Sequence, residues 1–285
     1  MKGQLRLALP KGRIFENVKT LIEEAGFSLG VRNREYKPYI SDPGLKLKIM
    51  KPQNVAELIG LGFHDAGFTG IDWVRETRAH VEILLFTGFD KVSIVAATPE
   101  ECKEEELFSK RVVVATEYVN LARPWLEQRV KDFHIIRSYG ATEAFPPCDA
   151  DMIIDNTSTG ETLRRHGLKI LDTLLTSQTV FVASPEALKD REKKEKLDEL
   201  CMLFTAVLDA RKRVMLEMNV APDLLDEVVA LLPAMRAPTV APLYNEAGFS
   251  VKSAVLREEA RRLIPRLKAR GVTDILEYPF NKVVP

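Results

Sequence analysis

Long apolar runs are missing from this 285-residue chain. No stretch approaches the roughly 20 apolar residues that a membrane-spanning helix needs. The N-terminus, MKGQLRLALPKGR, has too short an apolar run for a secretory signal. The expectation is a cytoplasmic protein with no membrane partner. Cysteine is scarce: Cys102, Cys148 and Cys201 lie far apart and form no C-x-x-C pair. Reduced thiols are expected, with neither a disulfide framework nor a thiolate metal site. Neither sign of charge dominates, since 41 Lys and Arg balance 41 Asp and Glu. That excludes general binding to nucleic acid and leaves room only for a local basic patch. The four histidines, His64, His80, His134 and His166, do not cluster, and H-E-x-x-H is absent. So are G-x-x-x-x-G-K-[ST], G-x-G-x-x-G and the nucleophile elbow G-x-S-x-G. No repeat recurs at a fixed period.

What is present is an alternation of strand-like and helix-like runs. LRLALP reads as a strand ended by Pro10. Residues 14–25 carry apolar side chains at helical spacing, with Gly26 placed to end the helix. LKLKIM is a strand, and Pro52 opens the next helix. Further strands are DAGFTG, EILLF, KVSIVAA, RVVVA, HIIRS, DMIID, KILDTLL and QTVFVA. Thr116 is the candidate N-cap of a helix running through Val130. PEALKDREKKEKLDEL reads as a solvated helix face. The alternation implies an α/β protein with mostly parallel sheets. From Arg213 onward the texture changes to strand, helix, two strands, helix, strand. This βαββαβ order is the ferredoxin-like arrangement of a separate C-terminal domain, with Pro265 a candidate kink inside its second helix.

One stretch concentrates polar chemistry: DMIIDNTSTGETL, Asp151 to Leu163. An apolar strand ends in Asp155. Then come Asn156, Thr157, Ser158, Thr159, Gly160, Glu161 and Thr162, leading into a helix. In open α/β sheets ligands bind beyond the carboxyl ends of strands. Backbone N–H groups, hydroxyls and a helix N-terminus would cradle a phosphate there, and Gly160 lets the backbone come close to the anion. The carboxylate suits sugar hydroxyls, or a magnesium ion riding on phosphates. Together these describe a phosphorylated ribose. A capped helix after a core strand, with Thr and Ser forming turns, accounts for the same spacing.

The acid-ended strand followed by TSTGETL resembles the phosphoribosyl-pyrophosphate loop of phosphoribosyltransferases. LALPKGRI (7–14), DAGFTGID (65–72), the segment GATEAFPPCDADMIIDNTSTGETLRRHGLKIL (140–171) and APTVAPL (237–243) narrow this further. In that order they are similar to the long form of ATP phosphoribosyltransferase, and the resemblance covers essentially the whole chain.

The resemblance implies two α/β lobes hinged like a type II periplasmic solute-binding protein, plus a C-terminal ACT-like βαββαβ domain. Domain I would span 1–90 and 178–212, domain II 91–177 and the regulatory domain 213–285. The implied reaction moves a phosphoribosyl group from 5-phosphoribosyl 1-pyrophosphate to N1 of ATP and releases pyrophosphate, with Mg2+ as cofactor. Its metal ligands are not identified by the motifs. Residues 157–162 would hold the 5-phosphate and Asp155 the ribose hydroxyls. Lys11 and Arg13, in the first βα turn, would meet pyrophosphate or the ATP triphosphate. Asp72 matches a nucleotide-site acid, the lesser alternative being a helix N-terminal cap. Glu143 matches an acid of the G-x-x-E block and is assigned to substrate contact.

This sequence departs from the family pattern in three places. Lys51-Pro52-Gln53-Asn54 stands where Arg-Pro-x-Asp is expected, so Lys51 would meet an anion as a point charge. Glu161 stands where Ala is common. Asn219 stands where some relatives have an acid. The resemblance also implies dimers and hexamers and inhibition by histidine, near Asn219, Thr239, Val255 and Asp274. Two other readings compete: a non-catalytic small-ligand sensor on a solute-binding-like core, and a phosphoribosyltransferase for another base.

Overall fold

The computed structural model describes residues 3–30, 36–235 and 237–284. The chain divides into two compact units, Met1–Thr20 with Phe27–Leu197, and Leu21–Gly26 with Asp198–Pro285.

The first unit holds two five-stranded sheets. Its opening half runs β1 (Leu5–Pro10), α1 (Arg13–Glu24), the short strands β2 (Leu29–Gly30) and β3 (Tyr39–Ile40), β4 (Leu45–Met50), α2 (Pro52–Gly60), β5 (Ala66–Gly70), α3 (Ile71–Glu76) and β6 (Glu82–Phe86). The chain then builds β7 (Val92–Pro99), α4 (Glu104–Ser109), β8 (Val112–Thr116), α5 (Val119–Glu127), β9 (Phe133–Arg137), β10 (Met152–Thr157), α6 (Glu161–Arg165) and β11 (Leu168–Ser177). It returns with β12 (Thr179–Ala183), followed by α7 (Pro185–Lys189) and α8 (Arg191–Arg211). The sheet orders are β4-β1-β5-β12-β6 and β11-β7-β10-β8-β9. β12 thus completes the sheet begun by β1, after the chain has built the other one. Core strands read as continuous apolar runs because both faces are covered: the consecutive Leu7, Ala8 and Leu9 of β1 are buried, as are Met152, Ile153 and Ile154 of β10.

Three expectations need correction. The sheets are mixed, not mostly parallel. β12 runs antiparallel to β5 and β6, and β7 runs antiparallel to β10 and β11. These are the strands that carry the chain between lobes, and side-chain periodicity does not encode strand direction. Thr116 does not cap the next helix, which starts at Val119 and ends at Glu127. Its hydroxyl donates to the Ile154 carbonyl and accepts the Tyr118 N–H at 2.8 Å. The acidic-basic segment after Pro185 is not simply a solvated face. Lys193 and Lys196 reach Asp65 (2.9 Å) and Asp42 (2.7 Å), and Leu197 and Leu200 are fully buried.

The second unit carries β13 (Arg213–Val220), α9 (Leu225–Leu231), β14 (Thr239–Pro242), β15 (Phe249–Leu256), α10 (Arg257–Ala269) and β16 (Thr273–Pro279). Its sheet order, β14-β15-β13-β16, is ferredoxin-like. α10 runs through Pro265 without interruption. In β13 burial alternates strictly: Val214, Leu216, Met218 and Val220 face a core closed by Val228, Leu263 and Leu267 from the helices.

Candidate active site

Two clusters face one another at strand ends of the first unit. The first surrounds a cavity of about 200 Å³. Lys11 and Arg13 enter it from the β1–α1 turn, and Asp72 from the start of α3. Tyr118, Asn156 and Ser177 enter from the other sheet's side. Lys11 is exposed and lies 5.8 Å over the Tyr36 ring. Arg13 is exposed too, with its Nε 3.9 Å from Asp90. Lys51 is exposed, immediately before the cavity-lining Pro52.

Asp72 is buried, and both its oxygens are engaged. Ser177 Oγ donates to Oδ1 at 2.6 Å and Tyr118 Oη donates to Oδ2 at 2.9 Å. Its carboxylate comes so close to the preceding turn that a Cβ on Gly70 would lie 2.1 Å from Oδ1. Gly70, not Asp72, is the N-cap residue of α3. Burial first, and then the Asp72 charge, raise the Tyr118 phenol well above its ordinary range, so it stays a donor.

The second cluster is built on the end of β10. Asp155 Oδ1 accepts the Asn156 backbone N–H at 2.7 Å and Asn156 Nδ2 at 3.2 Å. Burial pushes its carboxyl up to about 6. The charges of Glu117 and Glu143 push the same way, against hydrogen bonds from Asn156 and Thr142. Glu143 sits on the short turn Thr142–Ala144. Beyond Asp155 the loop turns tightly, with Gly160 at φ +74°, a left-handed conformation that side chains disfavour. Thr157 Oγ1 accepts the Gly160 N–H at 3.0 Å, and Thr159 Oγ1 accepts that of Glu161 at 3.4 Å. The Glu161 side chain pairs with Arg165, while Ser158, Thr159, Glu161 and Thr162 are all exposed. α6 is only five residues long, so individual N–H groups and hydroxyls, more than a helix dipole, are what the loop offers an anion.

Asn156 joins the clusters. Its Nδ2 reaches both Asp155 Oδ1 and, at 3.1 Å, Tyr118 Oη, giving a line Asp155–Asn156–Tyr118–Asp72. Sequence reading missed Tyr118 and Ser177. The available signal was their position at the ends of β8 and β11, where the sheet rule places ligand contacts. It also missed Glu76, a buried carboxylate on α3 that accepts the N–H groups of Asn120 (2.9 Å) and Leu121 (3.0 Å) at the start of α5. Burial raises the Glu76 carboxyl, and those N–H groups oppose the shift.

The four expected effector residues do not share one pocket. Asn219 Nδ2 donates to Asp274 Oδ2 at 2.8 Å. Thr239 lines a cavity beside Met215 and Lys252 that neither Asn219 nor Asp274 lines. Val255 is 2% exposed, with its side chain in the sheet–helix core. Among the described residues no group of three or more His, Cys, Asp or Glu is arranged to hold a metal. No helix among them is long and apolar enough to cross a membrane.

A family model described as ATP phosphoribosyltransferase matches residues 51–206, and one described as HisG, C-terminal domain, matches residues 210–282. The chain belongs to the ATP phosphoribosyltransferase family. An ATP phosphoribosyltransferase of Pelotomaculum thermopropionicum is 38% identical over 290 residues, covering 99% of this chain and 100% of the relative. One from Desulforudis audaxviator is equally similar, 38% over 290 residues with the same coverage. Among solved structures, a chain of the ATP phosphoribosyl transferase (HisG:HisZ) complex from Thermotoga maritima superposes with a TM-score of 0.63 at 25% identity. That match covers 71% of this chain and 99% of the other. ATP phosphoribosyltransferases are glycosyltransferases that carry out the first step of histidine biosynthesis, and the C-terminal match fits the long form. The sensor reading and the other-base reading are not favoured.

Proposed function

We propose that Asp155 and the 157–162 loop bind 5-phosphoribosyl 1-pyrophosphate, and that Lys11 and Arg13 meet the phosphates of ATP or the departing pyrophosphate. One observation carries this reading. The acid-ended strand β10, with its glycine-turned hydroxyl loop, is linked through Asn156 and Tyr118 to the cavity that holds the two cations. N1 of the adenine is already a lone-pair nucleophile, so no protein nucleophile is required. The residues position the two substrates and stabilise charge as the C1–pyrophosphate bond breaks. Asp155 accepts ribose hydroxyls, the loop hydroxyls and N–H groups anchor the 5-phosphate, and Glu143 contacts substrate beside Asp155. Lys51 supplies a further cation at the cavity mouth, and Asp72 orients the nucleotide through Tyr118.

We infer Mg2+ as the cofactor. Asp155 and Glu143 are hard oxygen donors whose mutual repulsion a cation relieves. Bound there with substrate phosphates and water, it would neutralise the pyrophosphate leaving group. We assign domain I to 1–90 and 178–212, domain II to 91–177 and regulation to 213–285. Histidine is the proposed effector of the last, with Asn219, Asp274 and Thr239 as side-chain contacts and Val255 through its backbone. Assembly as dimers and hexamers and a cytoplasmic location complete the proposal.

The test is pyrophosphate release from 5-phosphoribosyl 1-pyrophosphate with ATP, and with orotate, hypoxanthine or nicotinate in its place, each with and without histidine. Turnover with ATP alone supports the assignment. Turnover with another base, or none with ATP, overturns it.

A further inference from the structure

We propose that Glu76 is a positioning residue. By clamping the backbone just after Tyr118, it holds the Tyr118 hydroxyl where it accepts from Asn156 and donates to Asp72. This role rests on the reading of that cavity as the ATP side of the site. It adds a determinant of ATP binding that does not itself line the cavity.

A tyrosine hydroxyl sits at the far end of a rigid ring, so its place follows the ring and the backbone together. α3 holds every part of Tyr118. Trp73 stacks on the ring, with centroids 4.7 Å apart. Asp72 accepts from Oη at 2.9 Å. Glu76 lies one turn after Asp72, so the two buried carboxylates share a helix face. It takes the backbone, accepting the N–H groups of Asn120 at 2.9 Å and Leu121 at 3.0 Å. Asn120 Nδ2 donates back to the Glu76 carbonyl at 2.7 Å, which closes a reciprocal clasp between the two helices. Thr116 Oγ1 accepts the Tyr118 N–H itself at 2.8 Å.

The identity of the residue before α5 explains why a distant acid is needed. Tyr118 is the N-cap residue of α5, and its side chain makes no capping hydrogen bond. A serine or aspartate there would satisfy the first N–H groups locally. Tyr118 instead turns its side chain into the cavity, and the start of α5 depends on Glu76. The tolerance is small. A displacement of Oη by about 0.5 Å would stretch the Asn156 contact from 3.1 Å to a length that is no longer a hydrogen bond.

The test is steady-state pyrophosphate release by the full chain with ATP varied. It compares wild type, Glu76→Ala, Glu76→Gln, Tyr118→Phe and the Glu76→Gln/Tyr118→Phe double variant. Tyr118→Phe and Glu76→Gln should each raise KM for ATP about five-fold, within the coupling range of residues that share a hydrogen-bond network. Glu76→Ala should raise it further, about ten-fold or more, because Gln keeps one acceptor oxygen and Ala keeps none. If Glu76→Ala does not fold, the isosteric Gln variant carries the test. In the Tyr118→Phe chain, Glu76→Gln should change KM for ATP by less than about two-fold, since the hydroxyl through which it acts is gone. A purely structural role would lower the melting temperature and the active fraction while leaving KM for ATP unchanged. Unchanged KM in Glu76→Gln overturns the proposal. So does wild-type KM in Tyr118→Phe, or a Glu76→Gln effect of full size in the Tyr118→Phe chain. In each of those cases wild-type turnover with ATP still stands, so the site assignment survives. A wild type that releases no pyrophosphate with ATP overturns both.

Discussion

Asp72 and Asp155 sit at comparable places, one after β5 and one at the end of β10, yet their surroundings are opposite. Asp72 is buried, and each oxygen receives a hydroxyl. Asp155 is only half-buried, has two other carboxylates as neighbours and is raised to about 6. One acid is satisfied by the protein itself. The other is held in a state that a bound diol or cation would improve. A carboxylate at a strand end thus becomes a ligand group only when the fold leaves it under-satisfied.

The largest expected effect comes from the loop that serves Asp155. Gly160→Val places a branched side chain at φ +74° and should reduce turnover to background. It should also cost about 1–3 kcal/mol of stability through backbone strain. Steady-state kinetics and chemical denaturation read the two losses, and wild-type KM for 5-phosphoribosyl 1-pyrophosphate in this variant would count against the phosphate-loop assignment. Next, Asp155→Asn should lower kcat/KM for the same substrate about ten- to hundred-fold, the worth of a charge-assisted hydrogen bond of roughly 1.5–3 kcal/mol, without lowering the melting temperature. Asp72→Asn should do the reverse in emphasis. It weakens two buried hydrogen bonds to a charged acceptor, so a stability loss of about 1–3 kcal/mol is expected, along with a smaller kinetic effect. If both variants behave alike, the contrast between the two acids fails.

A pH series sharpens the same contrast. The Asp155 carboxyl titrates near 6 in the folded chain, against 3.8 ordinarily. The folded state therefore holds its proton over a window in which the unfolded state has lost it. The stability this confers is fully present below about pH 4 and is lost as pH rises through 6. On the proposed ribose contact, substrate affinity moves the other way, because a protonated acid would no longer accept a hydrogen bond with full charge. kcat/KM for 5-phosphoribosyl 1-pyrophosphate should fall below about pH 6, and Asp155→Asn should flatten that limb. The smallest effect expected is that of Thr239→Ala: a rise of a few-fold in the histidine concentration for half-inhibition, with unchanged uninhibited rate. Equal inhibition of both forms would remove Thr239 from the effector site.

Much of this was readable from residues alone, and the reasons differ by feature. Strands such as LRLALP and DMIID are apolar because both faces are covered, and that pattern survives in a single sequence. The βαββαβ order at the C-terminus was readable because β13 alternates cleanly between a helix-covered face and an open one. The antiparallel run of β7 and β12 was hidden, since an apolar strand looks the same in either direction. Tyr118 and Ser177 were hidden for another reason: the partner that gives each its role lies 46 and 105 residues away. The burial of the Val255 side chain was hidden too, because position in a pattern does not say which face of the sheet a side chain takes.

Glu76 has a further consequence. Its carboxylate, carried on the helix after β5, closes the N-terminus of α5 on the other sheet by accepting the N–H groups of Asn120 and Leu121. Those two N–H groups have no turn of helix ahead of them to serve as acceptor. Any excursion that parts α3 from α5 strips them of their partner and hands them to solvent. Deuterium uptake at just these two backbone positions would therefore gauge how often the lobes separate, with no label or substrate added, and substrates that draw the lobes together should slow it.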